Sequence, residues 1–447
     1  MLGGRVTAQT FTTLHSFTGS DANPESGLVL SSNTLYGTTD GSGAGLGGKG
    51  FGTVFSINTD GTGFTTLHTF TNGDGATPES GLIVSSNTLY GTTYSGGTRG
   101  GGTVFALNTD GTGFRTLYAF TGGTNGSGPV GRLVLSGRTL YGVTWNGGSS
   151  GNGTVFAVNA DDTNFITLHA FTGVEEMSGH GGLIMLSNTL YGTTYFGGTN
   201  HQGTVFAINS DGTGFTNLHT FNYSDGADSN ALLILSGGTL YGATVYGGSS
   251  DNGTVFKLNT DGTGFTNLHY FTAGSNDNNG NYVTNSDGAK PFAGLALSSN
   301  TLYGTASTGG SFADGTVFSV NTDGTGFTLL HTFAGGSDGT DPFRSGLVVL
   351  ANTLYGTTFI GGGSGYGTVF RLSFSPQLSI TLSDTNVILT WPTNYAGFDY
   401  TGFTLQSTTN LVSPVWTTNS PAPVVVSGQN TVTNLISGAQ QFFRLSQ

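Results

Sequence analysis

A phrase of roughly 50 residues recurs along most of this chain, and it recurs out of register with the chain's own beginning. "TLYG" places tyrosines at Tyr36, Tyr90, Tyr141, Tyr191, Tyr241, Tyr303 and Tyr355. "GTVF" places phenylalanines at Phe55, Phe105, Phe156, Phe206, Phe256, Phe318 and Phe370. Successive tyrosines stand 50 to 54 residues apart, with one interval of 62. Such a period belongs to blade-like repeats and is too long for leucine-rich or ankyrin units. Each period reads as four short strands: "GLVLS", "TLYGTT", "GTVFSIN" and "FTTLHTF". Val, Thr, Phe and Tyr separated by Gly, Asn and Asp is hairpin composition. In the "TDGTG" link Gly61 and Gly63 are expected at positive φ.

The seventh repeat stops after its third strand, whereas "FTTLHSF" at residues 11–17 is a fourth strand with no predecessors. This offset predicts an all-β fold, a seven-bladed β-propeller closed by the N-terminal strand, which removes an open sheet edge. The propeller is expected over residues 11–374, after a remnant at 1–10. Past Phe374 the repeat and the glycine density vanish. Residues 377–447 read as a small β-sandwich of the fibronectin or immunoglobulin type, with Trp391 and Trp416 as core anchors.

"DGATPESGLIVSSNTLYGTT", "GTVFALNTDGTGF" and "LHTF" resemble the GloVer-type tandem repeat of "choice-of-anchor" bacterial surface proteins. The resemblance implies an exported chain with a tethering C-terminal segment, and it brings no catalytic residues. This chain departs from the pattern by ending in a sandwich rather than a hydrophobic anchor.

The formal charge of −13 makes nucleic acid and anionic membranes unsuitable partners. No apolar run is long enough to span a bilayer. The chain has no cysteine, which excludes disulfides and thiolate chemistry. "VTAQ" near the start resembles the end of a cleavage region, so an extracellular or cell-surface location is expected.

A residue present in every repeat is expected to hold repeats together. That covers the histidines His15, His68, His169, His219, His269 and His331, and the "TLYG" tyrosines. Function is sought instead in the variable second-to-third loops and the crossovers between repeats. Second strands end in Tyr94, Trp145, Tyr195 and Phe359, and Phe196 follows; aromatics beside Asn, Gly and Ser suit sugar rings. Glu175, Glu176 and His180 share one crossover, and His201 lies in a nearby loop, so an acid, imidazole and aromatic cluster is expected there. Asp21, Asp74, Asp287 and Asp338 recur in crossovers, where Asx-turns account for them; calcium is the alternative. No other cofactor is indicated. The favoured reading is a non-enzymatic protein that binds a polysaccharide or other surface ligand. A polysaccharide hydrolase or lyase and a structural adhesin are the alternatives.

Overall fold

The computed structural model describes residues 8–41, 50–161, 164–173, 177–276, 283–419, 421–435 and 441–446. Each repeat becomes one antiparallel sheet whose strands follow chain order, as in Ile83–Ser85, Thr88–Thr93, Thr103–Asn108 and Arg115–Ala119. The third and fourth repeats share an eight-stranded sheet through a parallel bridge between Arg132 and Gly182. In the seventh sheet the order is Ala8–Ser16, Thr368–Ser375, Thr353–Thr358, Val348–Leu350. The N-terminal strand therefore fills the fourth position, as the offset predicts.

Register explains why two separate phrases recur together. The glycine of "TLYG" pairs with the phenylalanine of "GTVF", as Gly142 does with Phe156. A Cβ on Gly142 would stand 2.5 Å from Phe156 Cζ and 2.7 Å from Leu133 Cδ2. The same clash awaits at Gly37, Gly91, Gly192, Gly242, Gly304 and Gly356. The glycine is thus the socket for a fully buried ring, required by close approach. Gly142→Ala is expected to destabilise the protein by roughly 1–3 kcal/mol through overpacking. Phe156→Leu in the same chain should return part of that loss, read as a non-additive shift in urea midpoint.

The tight third-to-fourth turns follow the expected chemistry. Asp60 accepts hydrogen bonds from the Thr62 amide at 2.9 Å and its hydroxyl at 2.7 Å, while Gly61 and Gly63 adopt φ of 91° and 67°. This is an Asx-turn, and its hydrogen bonds hold the exposed Asp60 carboxyl below its ordinary range.

The repeated histidines bind neighbouring sheets together. His68 stacks on Phe114 of the next sheet at 3.8 Å, and His219 on Phe265 at 3.7 Å. His15, in the strand completing the seventh sheet, stacks on Phe64 of the first sheet at 3.7 Å. Tyr118 takes this place in the second sheet, 3.9 Å from Phe165. Burial lowers the pKa of His15, His68 and His331, as suits packing groups.

The second compact unit comprises residues 1–11, 350–354 and 372–447. Within it Leu389, Trp391 and Val432 of a four-stranded sheet share a core with Leu405 of a three-stranded one. Trp391 is the anchor expected. Trp416 is not: it is half-exposed, with the Arg444 guanidinium 4.4 Å from its ring.

Candidate functional site

The crossovers feed the first strand of each sheet, and six of the seven carry a glycine just before or within that strand. Gly27, Gly81, Gly131, Gly181, Leu232, Gly294 and Gly346, one from each repeat, line a single cavity of about 120 Å³. Their backbones crowd one another: a Cβ on Gly27 would lie 3.0 Å from the Gly346 nitrogen. One on Gly294 would lie 3.0 Å from Leu232 Cβ. Side chains larger than hydrogen at most of these positions would close the space.

Charge enters the cavity where three crossovers depart from the consensus. Arg344 Nη1 stands 2.8 Å from Glu25 Oε1 and 2.8 Å from Glu79 Oε2, joining the seventh repeat to the first and second. Burial pushes the Glu25 carboxyl up to about 8, helped by the Glu79, Asp40 and Asp341 carboxylates and opposed by Arg344. Burial likewise raises Glu79, and brings Asp341 up to about 6. One cation shared among several buried carboxyls leaves protonation as the remaining way to relieve repulsion. Arg132, in the third repeat, also lines the cavity and is exposed to solvent within it. Desolvation lowers its pKa, and among the described residues no carboxylate is paired with it. Asn230, only 7% exposed, also lines the cavity, and its Oδ1 has no hydrogen-bond partner.

The aromatic residues singled out in the sequence are partly gathered. Trp145 and Tyr195, both half-buried, have ring centroids 5.6 Å apart, and Tyr195 meets the exposed Phe196 at 4.3 Å. The Tyr195 hydroxyl donates to Asp228; burial and that carboxylate push its pKa up to about 12, while burial brings Asp228 to about 6. Arg344 also acts on Tyr195 electrostatically, as the weakest of the influences on its hydroxyl. Tyr94 is half-buried and packs against Gly128. Phe359 sits apart from these rings, 6.0 Å from Phe343, and its carbonyl accepts a hydrogen bond from Asn23.

The expected acid–imidazole cluster falls mostly outside the described residues. Glu175 and Glu176 lie outside them. The backbone of His180 belongs to the strand Met177–Leu186, and its side chain lies outside the described set. His201 is exposed at φ 58°, with its amide donating to Gly198. Among the described residues no hydrogen bond or ring contact joins its side chain to the aromatic shelf.

The recurring aspartates serve the repeated histidines. Asp74 accepts from the Thr71 amide three residues earlier and meets His68 Nε2 at 3.1 Å. Asp287 meets His269 at 2.9 Å, and Asp338 meets His331 at 3.4 Å. These carboxylates reach backwards rather than forming the forward Asx-turns expected of them. Among the described residues no three His, Cys, Asp or Glu side chains stand together as metal ligands.

Sequence reasoning missed Glu25, Glu79, Arg132, Asn230 and Arg344. A signal was present: the whole chain holds four glutamates, and two of them are Glu25 and Glu79.

Comparison with solved structures finds similar β folds at low identity. An oligogalacturonate lyase in complex with manganese aligns with a TM-score of 0.52 at 11% identity, over 83% of this chain and 96% of that one. A putative 6-phosphogluconolactonase of Bacteroides fragilis NCTC 9343 aligns at 0.48 and 14%, over 93% and 99%. A puromycin-hydrolyzing peptidase of Mycobacterium tuberculosis aligns at 0.48 and 11%, over 86% and 61%. No curated protein matches. The family described as the Gloeobacter/Verrucomicrobia repeat matches residues 5–187, 165–284 and 278–393. Those segments span the recurring phrase from end to end, and the chain belongs to the Gloeobacter/Verrucomicrobia repeat family.

Proposed function

We propose that residues 11–374 form a closed seven-bladed β-propeller, exported to the cell surface, which binds a polysaccharide on its variable-loop face. Closure is supported by the contacts between seventh and first repeats, His15 on Phe64 and Gly27 against Gly346. It is supported further by a cavity to which every repeat contributes. The observation that carries the binding assignment is the half-exposed shelf of Trp145, Tyr195 and Phe196. A sugar ring offers one apolar face to such a shelf and hydroxyls to the polar groups around it. Residues 377–447 act as a separately folding fibronectin- or immunoglobulin-like spacer or docking module, with the Trp391 core in support. The reading assigns no cofactor, and tethering in the manner of choice-of-anchor proteins would fall to this C-terminal unit.

A second reading, a polysaccharide-acting enzyme, is favoured by one observation. Glu25, raised to about 8, holds a proton at neutral pH beside Glu79, an arrangement suited to acid–base work. A glycan array run beside reducing-sugar and unsaturated-uronate assays separates the two. Binding without turnover is expected, with Trp145→Ala weakening it at least about tenfold, near the 1.4 kcal/mol of one stacking contact. Unchanged binding by Trp145→Ala removes the shelf from the assignment, and turnover lost in Glu25→Gln establishes the enzyme.

A further inference from the structure

We infer that the cavity receives the carboxylate of an acidic sugar, a hexuronate, with Arg132 as the anchoring cation and Asn230 as a hydroxyl reader. The inference rests on the polysaccharide reading and narrows its ligand class. Three charged side chains line the cavity: Arg132, Arg344 and Glu79. Arg344 is engaged by Glu79 and by Glu25, which leaves Arg132 as the guanidinium of the cavity with no carboxylate partner among the described residues. A guanidinium partly desolvated by surrounding protein gains more from a carboxylate than one on an open surface, because water competes less. Its forked donors also match a carboxylate's two oxygens.

Asn230 supplies the independent observation. The Asn230 Oδ1 is buried and unpartnered, a costly state that a ligand hydroxyl relieves once the amide turns its oxygen to the cavity. A hydroxyl is both donor and acceptor, so it satisfies this amide in either orientation of the side chain. Glu79 accepts from a second hydroxyl. The remaining wall is backbone of small residues with Leu28, Leu82 and Phe292, suited to the C–H face of a pyranose. At roughly 30 Å³ of liquid per water, a space of about 120 Å³ takes about four waters, room for the carboxylate end of a sugar rather than the whole ring. One carboxylate, vicinal hydroxyls and one apolar face together describe a uronate.

The probes are D-glucuronate, D-galacturonate, methyl D-glucuronate ester and D-glucose, titrated into the full chain and followed by calorimetry and by ligand-observed NMR. At least one free acid is expected to bind ten times or more tighter than the ester and glucose. Arg132→Gln should abolish that preference, Arg132→Lys should keep part of it, and thermal midpoints should report intact folding. Asn230→Asp is a second variant of nearly the same size; its added negative charge should weaken the acid at least tenfold more than it weakens glucose. Equal affinity for acid and ester, no binding of either acid at millimolar concentration, or an unaltered preference in Arg132→Gln each overturns the inference. Glycan-array binding that depends on Trp145 but not on Arg132 would leave the polysaccharide reading standing while removing this one.

Discussion

A chain lacking residues 1–17 is expected to lose several kcal/mol of stability and much of its solubility. The deletion removes the fourth strand of the seventh sheet and with it three aromatic contacts to the first repeat, His15 on Phe64 and Phe17 on Phe55 and Phe64. Phe17 is fully buried, 5.2 Å from Phe55, and its amide donates to Gly367 at 3.0 Å. Phe17→Ala alone should destabilise by about 3–5 kcal/mol. Strand loss adds an exposed sheet edge, which templates association between copies. Because the missing element is a strand, a synthetic peptide of residues 8–17 should restore the unfolding midpoint by adding to that edge. Light scattering and thermal melts with and without peptide test this. A truncated chain that stays monomeric and melts at the full-length temperature refutes it.

The second large effect concerns Arg344. Arg344→Met leaves Glu25 and Glu79 buried without their cation, and breaking a buried pair this way destabilises by about 3–5 kcal/mol. The loss depends on pH, with a sign opposite to ordinary acid denaturation. Glu25 has a folded pKa of about 8 against 4.5 for the unfolded chain, so between these values the folded state binds more protons. Stability is therefore greatest below 4.5 as far as this group is concerned, and is lost as pH rises through 8. The lowered pKa values of His15, His68 and His331 act the other way, but below about 6.5. From pH 6.5 to 8.5 the wild-type midpoint should fall, by roughly 2 kcal/mol of stability as far as Glu25 is concerned, more steeply in Arg344→Met and hardly at all in Glu25→Gln. Rising stability across that window in the wild type contradicts the assignment.

The contrast between these two effects shows what could be read from the residues alone. The strand exchange was legible because counting strands requires only local grammar. The socket role of the "TLYG" glycine was half legible: both phrases repeat, but their contact appears only once strands are paired. Arg344 and Glu25 are 319 residues apart, and nothing in either crossover announces the other. The recurring aspartates were assigned to forward turns because that local motif is common, whereas their partners are histidines on the preceding strand. Trp416 reads as core because tryptophan usually is, yet it stays half-exposed with the Arg444 guanidinium over its ring. The aromatic shelf was found by asking which residues depart from the consensus. The same subtraction applied to glutamate would have reached the cavity.

The sixth crossover shows how far a crossover can lengthen at the expense of nothing beneath it. It carries the additional length of the 62-residue interval, and a small hairpin pairs Ser275 with Thr284 inside it. Even so, His269 before the insertion stacks on Phe327 after it at 3.7 Å, the separation found where crossovers are short. The scaffold is indifferent to what is threaded between its blades. Selection, or a protein engineer grafting foreign loops, can diversify seven neighbouring segments independently, much as an antibody diversifies its hypervariable loops on a constant frame.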